Sequence, residues 1–123
     1  MLLQIDERDL ASGICLVELK GKLAMGRESQ RVETLVDELA KSGRLRALLD
    51  VTHVDYIDSA GIGMLALISG KMREAGGKLV IVAPEGRVLQ MLKLTQIISI
   101  LSVSATVDGA LATFDAGQAE ASA

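Results

Sequence analysis

The sequence predicts an α/β domain built on a mixed, mostly parallel five-stranded sheet covered by about four helices. Three observations carry this. Short apolar runs without helical spacing recur along the chain, as at 14–19, 45–51 and 79–83. Segments with helical apolar spacing lie between them, and strands that alternate with helices imply parallel pairing through crossovers. Half of the 123 residues are apolar, enough for one real core.

Residues 2–9 show partial alternation and read as an edge strand. Ala11-Ser12-Gly13 is a turn, and 14–19 is a second strand paired with the first as a hairpin. Residues 21–26 read as a loop. In the next segment Val32, Leu35, Val36, Leu39 and Ala40 form one apolar stripe, and Gly43 closes the helix. Residues 45–51 are the third strand. Ala47-Leu48-Leu49 does not alternate, so both faces are expected to be buried. A loop around Ser59 leads into a helix over 64–75 that ends at Gly76-Gly77. Residues 79–83 make a central strand stopped by Pro84, and Val88, Met91 and Leu92 mark a third helix. Residues 98–103 are expected to form the fifth strand. Val107, Ala110, Leu111 and Phe114 make a short last helix. The domain is expected to span 1–115, and 116–123, small and polar, to be a disordered tail.

Composition excludes several classes of function. The formal charge is -3 and no basic patch appears, so nucleic acid is not an expected partner. Tyr56 and Phe114 are the only aromatics, which leaves no stacking platform for bases. Cys15 is the single cysteine and lies in an apolar run, so it reads as a small core side chain. The N-terminus lacks a basic region and a long apolar stretch, and no run reaches the roughly 18 residues of a membrane span. A cytoplasmic protein without membrane insertion is expected.

The segment Val54-Asp55-Tyr56-Ile57-Asp58-Ser59-Ala60-Gly61-Ile62-Gly63 is the chemically informative one. It places Ser59 at or just before a helix N-terminus, where free N–H groups and the macrodipole favour an anion. Unmodified, Ser59 is a plain helix-cap residue. Phosphorylated, it would gain about -1.5 to -2 charges and act as a switch. Nucleophilic catalysis would need a base, and His53, the one histidine, reads as a residue at a strand end. No metal-ligand spacing appears; Asp50, Asp55 and Asp58 could form at most a weak Mg²⁺ site. An acidic receiver-type pocket would need paired acids on an earlier loop, and Asp6, Glu7 and Asp9 are not so placed. Gly61-Ile62-Gly63-Met64-Leu65-Ala66 matches G-x-G-x-x-A, but about ten residues after the strand rather than in a tight turn. No cofactor, no metal and no enzymatic activity are expected.

Asp58-Ser59-Ala60-Gly61-Ile62-Gly63 resembles the Asp-Ser-(Ser/Ala)-Gly-(Leu/Ile)-Gly signature of STAS domains, found in bacterial anti-sigma-factor antagonists and in the cytosolic part of sulfate transporters. Gly21-x-Leu23, Leu48-Leu49-Asp50, Tyr56-Ile57 and Gly76-Gly77-x-Leu79 extend the resemblance over nearly the whole chain. The resemblance implies a STAS-type fold and a protein that acts by binding. In antagonists of this family a partner anti-sigma factor, itself a serine kinase, phosphorylates the serine at the Ser59 position. The unphosphorylated form holds that kinase and a phosphatase resets the switch. The implied binding face comprises Leu23, Ala24, Met25, Gly26, Arg27 and Glu28 on one loop, and Asp58, Ala60, Gly61, Ile62, Gly63 and Met64 around the serine. Ala24 departs from the pattern: many phosphorylatable members carry an acid there. That departure leaves open a non-phosphorylated role, as a subunit of a lipid-trafficking transporter or a stress-complex scaffold.

Overall fold

In the computed structural model, which describes residues 3–24 and 26–122, five strands lie side by side in chain order. They are β1 (Gln4–Asp9), β2 (Cys15–Leu23), β3 (Arg46–Ile57), β4 (Lys78–Val82) and β5 (Ser102–Ser104). β1 and β2 form an antiparallel hairpin, and the remaining pairs are parallel. Four helices cover the sheet: α1 (Arg27–Lys41), α2 (Ser59–Glu74), α3 (Arg87–Leu94) and α4 (Val107–Ser122).

The lack of alternation in Ala47-Leu48-Leu49 has the expected cause: all three are fully buried, because both faces of β3 are covered there. On one face Val17, Leu19, Leu49, Val51 and Ile81 pack beneath α1, α2 and α3, whose Val32, Val36, Leu65, Ile68 and Leu92 point inward. On the other, Leu16, Leu48, Val80 and Val82 pack against Ala110 and Phe114 of α4. The helices α1 and α2 are clipped together by Lys71, whose Nζ lies 2.9 Å from Glu33 and 3.1 Å from Asp37. Hydrogen bonds donated to those two carboxylates, Glu33 first, hold the Lys71 ammonium above its ordinary pKa. Cys15 is buried on the α1–α2 side. Burial, helped by the charge of Glu7 and its hydrogen bond, pushes the thiol up to about 11.

The central pair is longer than the sequence pattern indicates. β2 continues through Gly21 to Leu23, and β3 through His53 to Ile57, so 21–23 and 52–57 are strand and not loop. Alternation is lost there because β3 carries an extra residue twice. Glu18 and Lys20 face Asp50 and His53, and Gly21 and Lys22 face Val54 and Tyr56. These are β-bulges, which shift the side-chain period and hide a strand from a period-two reading. At the first bulge the Asp50 carboxylate accepts the Thr52 N–H at 2.9 Å. His53 therefore sits inside β3 beside Lys20, not at a strand end.

Three other boundaries move. α2 begins at Ser59 rather than 64, so no loop surrounds the serine. Ile97–Ile100 form a 3-10 turn after the left-handed Gln96, and β5 starts only at Ser102. A short apolar run does not by itself distinguish a strand from a packed turn. The backbone of α4 continues to Ser122, beyond the short helix expected near Phe114.

Candidate functional site

Two strands deliver the site. Leu23 ends β2 and Ile57 ends β3, and the two residues are partners in the parallel register. The connections into α1 and α2 therefore leave the carboxyl end of the sheet together, as the topology predicts. The Asp58 N–H reaches the Leu23 carbonyl at 3.4 Å, tying the second connection to the first.

Asp58, not Ser59, is the helix cap. Its extended backbone precedes α2, its side chain accepts the Gly61 N–H at 2.8 Å, and its carbonyl accepts the Ile62 N–H at 3.0 Å. Ser59 is the first helical residue and is exposed. Its hydroxyl is thus not committed to the cap. The first turn of α2 contains no acidic residue, so the positive end of the helix is balanced locally by Asp58 alone.

Gly61 is required by contact. A β-carbon there would lie 2.2 Å from the Leu23 carbonyl oxygen and 3.0 Å from Ile57 Cγ1. Only glycine lets the first turn of α2 press on the ends of both strands. A β-carbon on Gly63 would meet nothing within 4 Å, and Gly63 is exposed. Identical residue types in one motif thus answer to different causes.

The residues of the implied binding face divide by exposure. The Leu23 side chain is 0% exposed, and Gly61, Ile62 and Met64 are buried, so these four support the surface from below. Gly26, Arg27, Ser59 and Gly63 are exposed, and Ala24, Glu28, Asp58 and Ala60 are partly exposed. Met25 lies outside the described residues. The Ala24 carbonyl accepts a hydrogen bond from the Ser29 hydroxyl, which fixes the loop to the first turn of α1. Sequence reasoning missed the Asp58 cap and the Leu23 carbonyl as structural parts of the site. The cap was legible, since aspartate is as good a cap as serine; the carbonyl was not.

The geometry separates Ser59 from the one histidine. Four residue steps of β3, about 13 Å, lie between His53 and Ile57, and the chain then turns into α2. Among the described residues, no group of three His, Cys, Asp or Glu side chains could hold a metal ion. Among the described residues, no helix is long and apolar enough to cross a membrane.

The fold has counterparts among known proteins. The STAS domain family model matches residues 7–110. A Bordetella bronchiseptica protein provisionally named anti-sigma factor antagonist BtrV is 28% identical over 106 residues, covering 86% of this chain and 90% of that protein. A Thermotoga maritima crystal structure, also provisionally named an anti-sigma factor antagonist, superposes with a TM-score of 0.79 at 21% identity, covering 89% of this chain and 92% of its own. The anti-sigma factor antagonist SpoIIAA, in its unphosphorylated form, gives 0.70 at 12% identity with 94% and 98% covered. Its phosphorylated form, from Bacillus, gives 0.69 at 11% identity with 90% and 99% covered.

Proposed function

This chain belongs to the STAS domain family, and from that premise we propose that it is an anti-sigma-factor antagonist that binds an anti-sigma serine kinase and is switched off by phosphorylation of Ser59. The observation that carries the reading is the position of Ser59: exposed, first in α2, beside the β2–α1 connection, with capping left to Asp58. The names of BtrV and SpoIIAA, and the existence of SpoIIAA in both forms, support it.

The switch works through charge at a small surface. Phosphate on Ser59 would sit near N–H groups of α2 that have no intrahelical partner, so the domain tolerates it. A kinase surface packed over Ala60 and Gly63 would meet about -1.5 to -2 new charges. A penalty of about 2–3 kcal/mol already weakens affinity roughly 30- to 150-fold. Binding is lost without unfolding, and a phosphatase restores it. The protein acts in the cytoplasm and by binding; no step of this cycle asks it for catalysis.

The test is affinity capture from the native organism with three baits: wild type, Ser59→Ala and Ser59→Asp. An ATP-binding kinase held by wild type and Ser59→Ala and released by Ser59→Asp, with phosphate mapped to Ser59, is the expected result. Equal retention by Ser59→Ala and Ser59→Asp defeats the switch. Ala24 favours a second reading, a non-phosphorylated subunit of a lipid-trafficking transporter, because many phosphorylatable members of the family carry an acid at that position. Transporter subunits retained by all three baits would establish that reading.

A further inference from the structure

The amino-terminal end of the sheet carries a charge arrangement that the Ser59 site does not use. A cavity of about 490 Å³ opens between the 3-10 turn at Ala11–Gly13 and the connection from α1 to β3, lined by Ser12, Gly13, Arg44, Arg46 and Asp9 among others. Arg46 begins β3 and Ile57 ends it, so the cavity and Ser59 are roughly 30 Å apart along the strand.

The two arginines in this cavity differ in their partners. Arg44 is matched by carboxylates, with Glu7 at 3.3 Å and Asp9 in contact. Arg46 has none among the described residues. Its Nη1 donates to the Ser12 carbonyl at 2.7 Å, and its guanidinium stacks 5.3 Å from the centre of the Phe114 ring. Its Nη2 is buried without an acceptor. Lys78, the register partner of Arg46, lies 5.2 Å from the same ring and donates to the Thr113 carbonyl at 3.3 Å. Two cations thus share one aromatic ring with no carboxylate partner among the described residues, in a chain whose net charge is -3. The Ser12 carbonyl is held toward Arg46 by a turn in which Ser12 itself is left-handed, at φ 66, an uncommon state for a residue with a β-carbon.

A charged donor withdrawn from water without an acceptor is costly, and the guanidinium fork fits two-oxygen acceptors best. We propose that this cavity binds a small oxyanion, a carboxylate or phosphate group, with Arg46 as its anchor. Arg46 lines the cavity and is only partly buried as a residue, and because Nη2 is sealed from solvent in this structure, a turn of the long side chain toward the ligand is part of the proposal. Asp9, held by Arg44, also lines the cavity and repels a second negative group, so the ligand is small.

The test is an amide NMR titration of the full chain with sodium acetate, sodium phosphate and sodium chloride at constant ionic strength. Saturable shifts at Ser12, Gly13, Gly43 and Arg44 with acetate or phosphate, and none with chloride, are expected; the tighter of the two identifies carboxylate or phosphate as the ligand group. Arg46→Gln should abolish saturation. Arg46→Lys keeps the charge over Phe114 but loses the fork, and should weaken binding roughly tenfold or more. Linear shifts shared by all three salts overturn the proposal. So does unchanged affinity in Arg46→Lys, which decides the matter even if Arg46→Gln does not fold.

Discussion

Replacing Gly61 with alanine puts a methyl group where the end of β2 already stands. The new carbon would lie 2.2 Å from the Leu23 carbonyl oxygen, whereas close carbon–oxygen contacts run at about 3.3 Å. The first turn of α2 must therefore retreat by about 1 Å. Overpacking of that kind costs about 1–3 kcal/mol. The retreat also breaks the 3.4 Å bond from the Asp58 N–H to the Leu23 carbonyl, adding about 1 kcal/mol. Alanine returns about 1 kcal/mol through its better helix propensity. The net expectation is a loss of about 1–3 kcal/mol, or roughly 3–15 °C in Tm for a chain of this size. Gly63→Ala is the internal control. Its β-carbon meets nothing within 4 Å, so only the propensity gain remains and the Tm should rise by a few degrees. Thermal and urea melts followed by circular dichroism measure both. If Gly61→Ala melts at or above the wild-type temperature, the contact between α2 and the β2 end is not what demands glycine, and the reasoning fails.

Further outcomes follow from the same geometry. Asp58→Ala should cost about 1 kcal/mol through loss of the cap, while Ser59→Ala should stay within about 0.5 kcal/mol of wild type; urea melts distinguish them, and the reverse order would return the cap to Ser59. Phe114→Ala removes the largest side chain between α4 and the sheet and should cost about 3–5 kcal/mol, read as a fall in the urea midpoint. Cys15, buried with its thiol pushed from 9.0 to about 11, should resist alkylation at pH 8 until the protein is unfolded. Because its folded pKa lies above its unfolded one, its contribution to stability is complete below pH 9.0 and is lost as pH rises toward about 11. Melts of wild type and Cys15→Ala across that window should converge at high pH if this is right.

Much of the architecture was legible because local patterns and burial coincide. The stripe from Val32 to Ala40 is amphipathic, and α1 buries it. Ala47-Leu48-Leu49 lacks alternation because sheet neighbours and helices on both sides leave no face for water. The Asp-Ser-Ala-Gly-Ile-Gly segment announced a helix start because glycine and small polar residues have few other uses between a strand and an apolar run. Strand order, the bulges in β3 and the division of helices between faces were not legible. They depend on pairing between residues far apart in sequence, such as Gly21 with Val54 and Lys22 with Tyr56.

The sequence by itself determined the α/β class, the helix stripe, the doubly covered central strand and the motif that carries Ser59, because each is written in spacing along the chain. Only the tertiary structure decided that Leu23 and Ile62 support the surface from beneath, and that Gly61 is obligatory while Gly63 is not. Those distinctions arise where the end of β2 meets the start of α2, a contact between segments some 35 residues apart that no local pattern encodes.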